Sequence, residues 1–340
     1  MIIPFFITHA GCPHQCVFCN QKNITGEQTA PEPSSLPRQI ERCLGTLAAD
    51  EQAHIAFYGG SFTALPPGLQ RSYLEAVQPF LASGRVAGIR LSTRPDAITP
   101  DILAVLKQYG VATIELGAQS MDDKVLLLSG RGHSAANTVT AVALLREYHF
   151  VVGLQLMPGL PGDTLETFQE TVSQVIALRP GFVRIYPALV IKDTPLAELY
   201  RTGGYSPLSL DDAVLLCHKA VARFEQAGIE VIRVGLQPTA ALERPGTILA
   251  GPWHPAFRQL VESSRFLETM SALLPCGSTS GAVVFFVNPA DLSSAIGQKH
   301  RNIHTIKDRY GMDARIMADP AVPRGAVRKD LSCNAAEGGL

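Results

Sequence analysis

The residues with the plainest chemical potential are Cys12, Cys16 and Cys19, in the run GCPHQCVFCNQ. Their spacing, C-x3-C-x2-C, places three thiolates on one short loop. Iron–sulfur clusters are held by cysteine thiolates, and a cubane has four ligand positions. Three close cysteines hold three irons and leave the fourth open. An open iron accepts an external chelate, and S-adenosylmethionine offers an amine and a carboxylate. Electron transfer from a reduced cluster then breaks a carbon–sulfur bond and gives a 5′-deoxyadenosyl radical. That radical removes hydrogen atoms that no side-chain base can take. Zinc is the rival ion, and it usually takes four protein ligands in pairs such as C-x2-C. No second pair lies nearby, although His14 sits inside the loop. The spacing favours a 4Fe-4S cluster with S-adenosylmethionine as the second cofactor.

Such a loop needs a scaffold. The chain has 340 residues, which suggests about two domains or a large α/β barrel with an appendage. Apolar residues make up 46% and charged residues 17%, so a core is available and a disordered chain is excluded. The formal net charge of −1 announces no nucleic-acid partner, so any basic footprint must be local. The seven cysteines are unevenly spread, which is no disulfide framework and points to a reducing cytoplasm. No signal peptide and no membrane span is expected, and MIIPFF reads as a first buried strand.

Strand-like and helix-like segments alternate from there. The strands are IAFYGG (55–60), GIRLSTRP (88–95), ATIELGAQS (112–120), VVGLQLMPG (151–159) and FVRIYPA (182–188). Helical stretches fall at about 69–81, 100–109, 135–148 and 164–178. Counting the first strand, six strands alternate with helices, which predicts βαβ units and a parallel sheet. The expected fold class is α/β, a partial (β/α)6-type barrel over residues 1–235. In such barrels chemistry sits at the C-terminal strand ends. Glycine and polar residues gather there: Gly59, Gly60 and Ser61, then Gln119, Pro158, Gly159 and Tyr186.

The motif and these strand ends resemble the radical S-adenosylmethionine (SAM) superfamily, whose cysteine motif carries an aromatic residue before the third cysteine, here Phe18. Within it the chain looks most like the radical domain of the catalytic subunit of Elongator, the tRNA wobble-uridine enzyme. The matching stretches are YGGSFTAL, STRPDAI, ELGAQSMDD, RGHS, LQLMPGLPGDT and RIYPALVIKDTPL. Oxygen-independent coproporphyrinogen oxidases share a weaker set. The resemblance implies cofactor contacts. Gly59, Gly60 and Ser61 would meet the amino group, Glu115 and Gln119 the ribose and methionine parts, and Arg131 the carboxylate. Met157, Pro158 and Gly159 would lie near the adenine, and Tyr186 would face the cavity. Glu115 with Arg131 as a plain surface pair, and Met157 as plain core, are the structural alternatives. The resemblance also implies an electron donor such as a flavodoxin or ferredoxin. It has limits. Elongator's cysteine spacing is longer, and its basic leading segment and acetyltransferase domain are not expected here. Its acetyl-CoA-dependent reaction is therefore not carried over whole.

Residues 236–275 read as a connecting helix and loop, including GPWHP, where His254 is a candidate acid–base group. Residues 276–320 read as a small α+β domain resembling the KH module, which clamps single-stranded nucleic acid with a GxxG loop. Gly297 fits the first glycine, and Gln298, Lys299, His300 and Arg301 follow, with His300 where the second glycine belongs. Residues 321–340 read as a loose tail. The leading expectation is a radical enzyme acting on RNA, a tRNA base above all. The alternatives are a radical enzyme on a small molecule or tetrapyrrole, and a non-catalytic iron–sulfur protein.

Overall fold

The computed structural model describes residues 1–48, 51–275 and 281–330. Cys276, Cys333 and the tail beyond 330 lie outside the described residues.

The strands in chain order are β1 (Ile2–Phe6), β2 (Ala53–Tyr58), β3 (Val86–Thr93), β4 (Val111–Gln119), β5 (Val151–Leu156), β6 (Phe182–Ile185), β7 (Val190–Ile191), β8 (Glu230–Val234) and β9 (Ile248–Ala250). Seven of them form one parallel sheet in the order β1-β2-β3-β4-β5-β6-β8. Every step moves one strand in the same direction, as right-handed βαβ crossovers require. β1 and β8 are edges and do not pair, so the barrel is partial. The α/β expectation holds, and VIRVGL (231–236), also read as a strand from sequence, joins the six alternating units as β8, Glu230–Val234. The short strands β7 and β9 pair with each other.

A period of two sorts the strand residues. Ile3, Phe5, Ile55, Phe57, Ile89, Leu91, Ile114, Leu116, Leu154 and Ile185 are buried in the apolar layer. Their alternates include Tyr58, Arg90, Glu115, Gln155, Arg184 and Arg233, which are polar. A parallel sheet covered on both faces normally reads as continuous apolar runs. The interruption marks an interior that is lined with polar groups rather than filled.

Helices lie close to their expected positions: Pro100–Gln108, Ala135–Glu147 and Leu165–Leu178. Ser134 and Thr164 close capping boxes at the starts of the last two. The stretch expected as one helix over 69–81 is two, Pro67–Glu75 and Gln78–Ala82. Pro79 is the reason: it has no N–H to donate and its ring crowds the carbonyl four residues back, so the helix restarts there.

Two compact units divide the chain. The first comprises Met1–Ala213 and Ala220–Trp253, the second Val214–Lys219 and His254 onward. In the second unit, β10 (Gly281–Val287) pairs in parallel with β11 (Met312–Ala318) and antiparallel with β12 (Val327–Lys329). Helices Leu292–Ile296 and Arg301–Tyr310 connect β10 to β11. The core of this unit joins Phe266, Met270, Val283, Phe285, Val287 and Ile306. Helix Phe257–Ala272, read from sequence as part of a connector, thus contributes to it. β12 falls in the stretch read as a loose tail. Arg328 lies over the Phe286 ring at 4.7 Å and pairs with Asp319, contacts that sequence does not announce. No helix among the described residues is long and apolar enough to cross a membrane.

Candidate active site

The cysteine loop leaves β1 and folds back against the end of β2. Ser61 N–H donates to Ala10 O at 2.9 Å, and Cys12 Sγ lies 3.6 Å from Ser61 Oγ. The fit depends on two glycines. Gly59 has φ 98°, a left-handed value that a side chain disfavours. At Gly60 an added Cβ would stand 2.1 Å from Ala10 O, inside any allowed contact. Gln21 ties the far side of the loop, donating to Gly59 O and receiving the His9 N–H.

Cys12, Cys16 and Cys19 all line one cavity of ≈ 620 Å³. Burial, followed by the neighbouring Cys16 and Cys12, pushes the Cys19 thiol up to about 12. Three thiols gathered at one cavity suit an iron–sulfur centre, which coordinates thiolates and so relieves the burden on Cys19. Arg131, which is 6% exposed, donates from Nη1 to Cys16 Sγ at 3.1 Å and from Nη2 to Gly117 O. Its Nε has no partner among the described residues. Gln119 closes β4 in a left-handed conformation, φ 68°, with a buried Oε1 that also lacks a partner. A non-glycine residue held there costs of order 1–2 kcal/mol. An unclaimed acceptor and an unclaimed donor beside three thiols fit a ligand that carries an ammonium and a carboxylate.

Of the residues singled out from sequence, Gly59, Gly60, Ser61, Glu115, Gln119, Arg131, Met157 and Tyr186 line this cavity with the cysteines. Pro158 and Gly159 do not. Gly159 N–H donates to Asp163 and its carbonyl accepts from Tyr205, so it forms the turn behind Met157. His254 and the Gly297–Arg301 segment belong to the second unit. The His254 ring accepts from Ala256 N–H at 3.1 Å, at the start of helix Phe257–Ala272. Gly297, Lys299 and His300 have positive φ, and the side chains of Lys299, His300 and Arg301 are exposed.

Glu115 has a different setting from the one the sequence suggests. It is fully buried and its partner is not Arg131. Its carboxylate accepts from Tyr58 Oη at 2.8 Å, Arg90 Nη2 at 2.9 Å and Arg184 Nε at 2.7 Å. Burial and the Glu115 charge push the Tyr58 phenol up, so it stays protonated and donates. Sequence reasoning missed Tyr58, Arg90, Arg184 and Arg233. The available signal was an arginine or tyrosine at the inward parity of an otherwise apolar strand.

The radical SAM superfamily model matches residues 6–175, half of the chain. The chain belongs to the radical SAM superfamily. A radical SAM C-terminal domain model matches residues 180–265. Membership makes the protein a radical SAM enzyme and implies a 4Fe-4S cluster and SAM as its cofactors. Among curated proteins the chain is similar to tRNA uridine(34) acetyltransferase of Methanocaldococcus infernus, 27% identical over 253 residues (63% of this chain, 47% of the relative). Human Elongator complex protein 3 is 26% identical over 256 residues, with 62% and 47% covered. The chain thus spans about half the length of these relatives. Among solved structures, archaeal Elp3 of Methanocaldococcus infernus superposes with a TM-score of 0.61 at 21% identity, over 79% of this chain and 63% of that one. Coproporphyrinogen III oxidase of Escherichia coli gives 0.50 at 18% identity, over 67% and 53%. At those identities the likeness concerns the fold.

A pH effect arises beside Arg131. Burial first, then Arg131 and Arg94, hold the His133 imidazole down at about 4, against the opposing pull of Asp96. The folded value lies below the unfolded one, so the unfolded chain takes the proton first as pH falls. The stabilisation is complete above the ordinary histidine value and is lost as pH drops towards 4. Between pH 7 and pH 5, urea unfolding should show the wild type losing ~2 kcal/mol more than His133→Gln. Parallel losses in the two proteins would refute this.

Proposed function

We propose that this protein is a radical SAM enzyme that modifies RNA, with a tRNA base as the substrate class. The observation carrying the chemistry is the cavity that brings Cys12, Cys16 and Cys19 together with Arg131 and Gln119. Cys12, Cys16 and Cys19 would hold the cluster, with Cys19 and Cys16 beside the Phe18 ring and Met157 in a packed apolar patch. When bound, the cluster supplies an electron that cleaves SAM and releases the 5′-deoxyadenosyl radical. Arg131 would orient the SAM carboxylate, the Gln119 amide oxygen would accept from the ammonium or a ribose hydroxyl, and Ser61 would flank the amino group. Met157 supplies an apolar wall for the adenine. Burial of these groups keeps water from the reacting atoms. A flavodoxin or ferredoxin would serve as electron donor, and the cytoplasm is the compartment that fits reduced thiols.

The RNA reading rests on two supports. The Methanocaldococcus infernus relative is named for tRNA uridine(34), and the second unit has a strand–helix–loop–helix–strand order with exposed basic residues on its loop. In the KH-like reading, Gly297 and Gln298 shape that loop while Lys299, His300 and Arg301 meet phosphates. Asn302 anchors it, donating to Ser263 O and Ala295 O at 2.9 Å each. His254 would act as a capping residue or as an acid–base group.

The test is salt-dependent binding of bulk tRNA to anaerobically reconstituted protein. Lys299→Ala with Arg301→Ala should weaken binding and flatten its salt slope by about two phosphate contacts. Binding unchanged by both substitutions would end the KH-like reading. Absence of any tRNA binding would move the substrate to a small molecule.

A further inference from the structure

The cavity has an unbalanced wall. Glu115 is its single Asp or Glu among the described residues, and four arginines line it: Arg94, Arg131, Arg184 and Arg233. Arg94 is matched by Asp96, through a two-pronged contact at 2.9 and 3.0 Å. Arg131 belongs to the cysteine side of the chamber. Glu115 already answers two guanidiniums, since Arg90 and Arg184 share its two oxygens. Arg233 remains. No hydrogen bond or ion pair reaches its guanidinium from the described residues, yet it faces the cavity.

Strand pairing makes this unexpected. Arg184 of β6 and Arg233 of β8 are register partners in the parallel pair, so their side chains stand side by side on one face. Like charges in that relation are destabilising. Of this register pair, Glu115 contacts Arg184 and not Arg233. Tyr186 lies two residues beyond Arg184, on the same face and at the cavity wall. Its oxygen accepts from Arg184 Nη1 at 3.4 Å. The phenolic hydrogen is then free to point into the cavity. The Arg233 guanidinium, which carries the surplus positive charge, and the Tyr186 phenol line the same cavity.

We propose that Arg233 and Tyr186 form an oxyanion subsite on the barrel wall, which takes a carboxylate or phosphate carried by the substrate or a co-substrate. A planar guanidinium matches either oxyanion bidentately, and the hydroxyl adds a third donor. The subsite rests on the radical reading only in taking this cavity as the substrate chamber. It is distinct from the SAM carboxylate site, which the Arg131 side of the cavity serves.

The experiment titrates acetate and inorganic phosphate separately into the anaerobically reconstituted full chain by calorimetry, with SAM already saturating. At least one probe should bind at a single site. Arg233→Gln should weaken that binding about tenfold or more, and Tyr186→Phe by about three- to tenfold. Preference for acetate assigns a carboxylate, and preference for phosphate assigns a phosphate ester. Tyr186→Phe removes one hydroxyl and keeps the ring, so it serves should Arg233→Gln fail to fold. Three outcomes overturn the subsite: no binding of either probe, equal affinity in the wild type and both variants, or binding seen only in a parallel titration without SAM. Calorimetry needs no cleavage. A chain that binds the probe through Arg233 and makes no 5′-deoxyadenosine refutes the radical reading alone, and the reverse pattern refutes the subsite alone.

Discussion

Cys16→Ala should abolish both the cluster and SAM cleavage while leaving the fold intact. After anaerobic reconstitution the variant should bind iron and sulfide at background, lack the visible charge-transfer absorption and form 5′-deoxyadenosine at background. Cys16 is 7% exposed, its thiol meets Arg131, and Val17 N–H beside it is tied to Ser129 O at 3.1 Å. The Val17 tie does not involve the thiol and holds the loop in place without it, so the far-ultraviolet spectrum should match the wild type. Cys43→Ala is the control. That cysteine lies in helix Leu36–Leu44, does not line the cavity, and should keep full cluster content. A Cys16→Ala protein that still cleaves SAM would remove the cluster assignment.

The second large effect is expected at Glu115. Glu115→Ala deletes the carboxylate between Arg90 and Arg184 and leaves two guanidiniums in the barrel interior. Breaking one side of a buried ion pair costs about 3–5 kcal/mol, because the surviving charge loses its compensation. Glu115→Gln keeps the shape and one acceptor oxygen, and should cost about half of that. Arg90 and Arg184 also lean on aromatic rings, Phe182 at 5.3 Å and Tyr58 at 5.6 Å, so their side chains will not simply swing out to water. Urea unfolding of the two variants measures the difference. Adding Arg90→Met and Arg184→Leu to Glu115→Ala should recover most of the loss, since well-packed apolar groups replace a buried triad at little or no cost. A Glu115→Ala variant that loses under 1 kcal/mol would refute the triad's structural weight.

The two sites differ in how sequence exposes them. The cysteines announce themselves because a ligand set of this kind is local: the eight residues from Cys12 to Cys19 bring three thiols together wherever the loop goes. The alternation of strands and helices is equally local, set by residue period and turn chemistry, so the parallel α/β sheet could be read before any coordinates. Pro79 is a local signal that the helical reading over 69–81 passed over. Its missing N–H breaks the helix, and the structure shows the break.

The Glu115 triad is not local. Its partners stand 25 and 69 residues away along the chain, on β3 and β6. Their side chains meet because the interior of a curved parallel sheet brings inward-facing positions of different strands together. Sequence supplied Arg131, sixteen residues away, as a plausible ion-pair partner for Glu115, but the fold sends its guanidinium to Cys16 and Gly117. β12 has the same cause: a three-residue strand is visible only once β10 offers it an edge.

From sequence alone, then, came the three-cysteine motif, the parallel α/β plan and the glycines at the end of β2, because each depends on spacing within a short segment. Tertiary structure decided which charges compensate which, and which one is left over. Arg233 is an ordinary arginine in VIRVGL until register sets it beside Arg184 and the barrel turns both towards a cavity that, among the described residues, holds one carboxylate. Electrostatic balance is a property of the assembled interior, and no stretch of chain contains it.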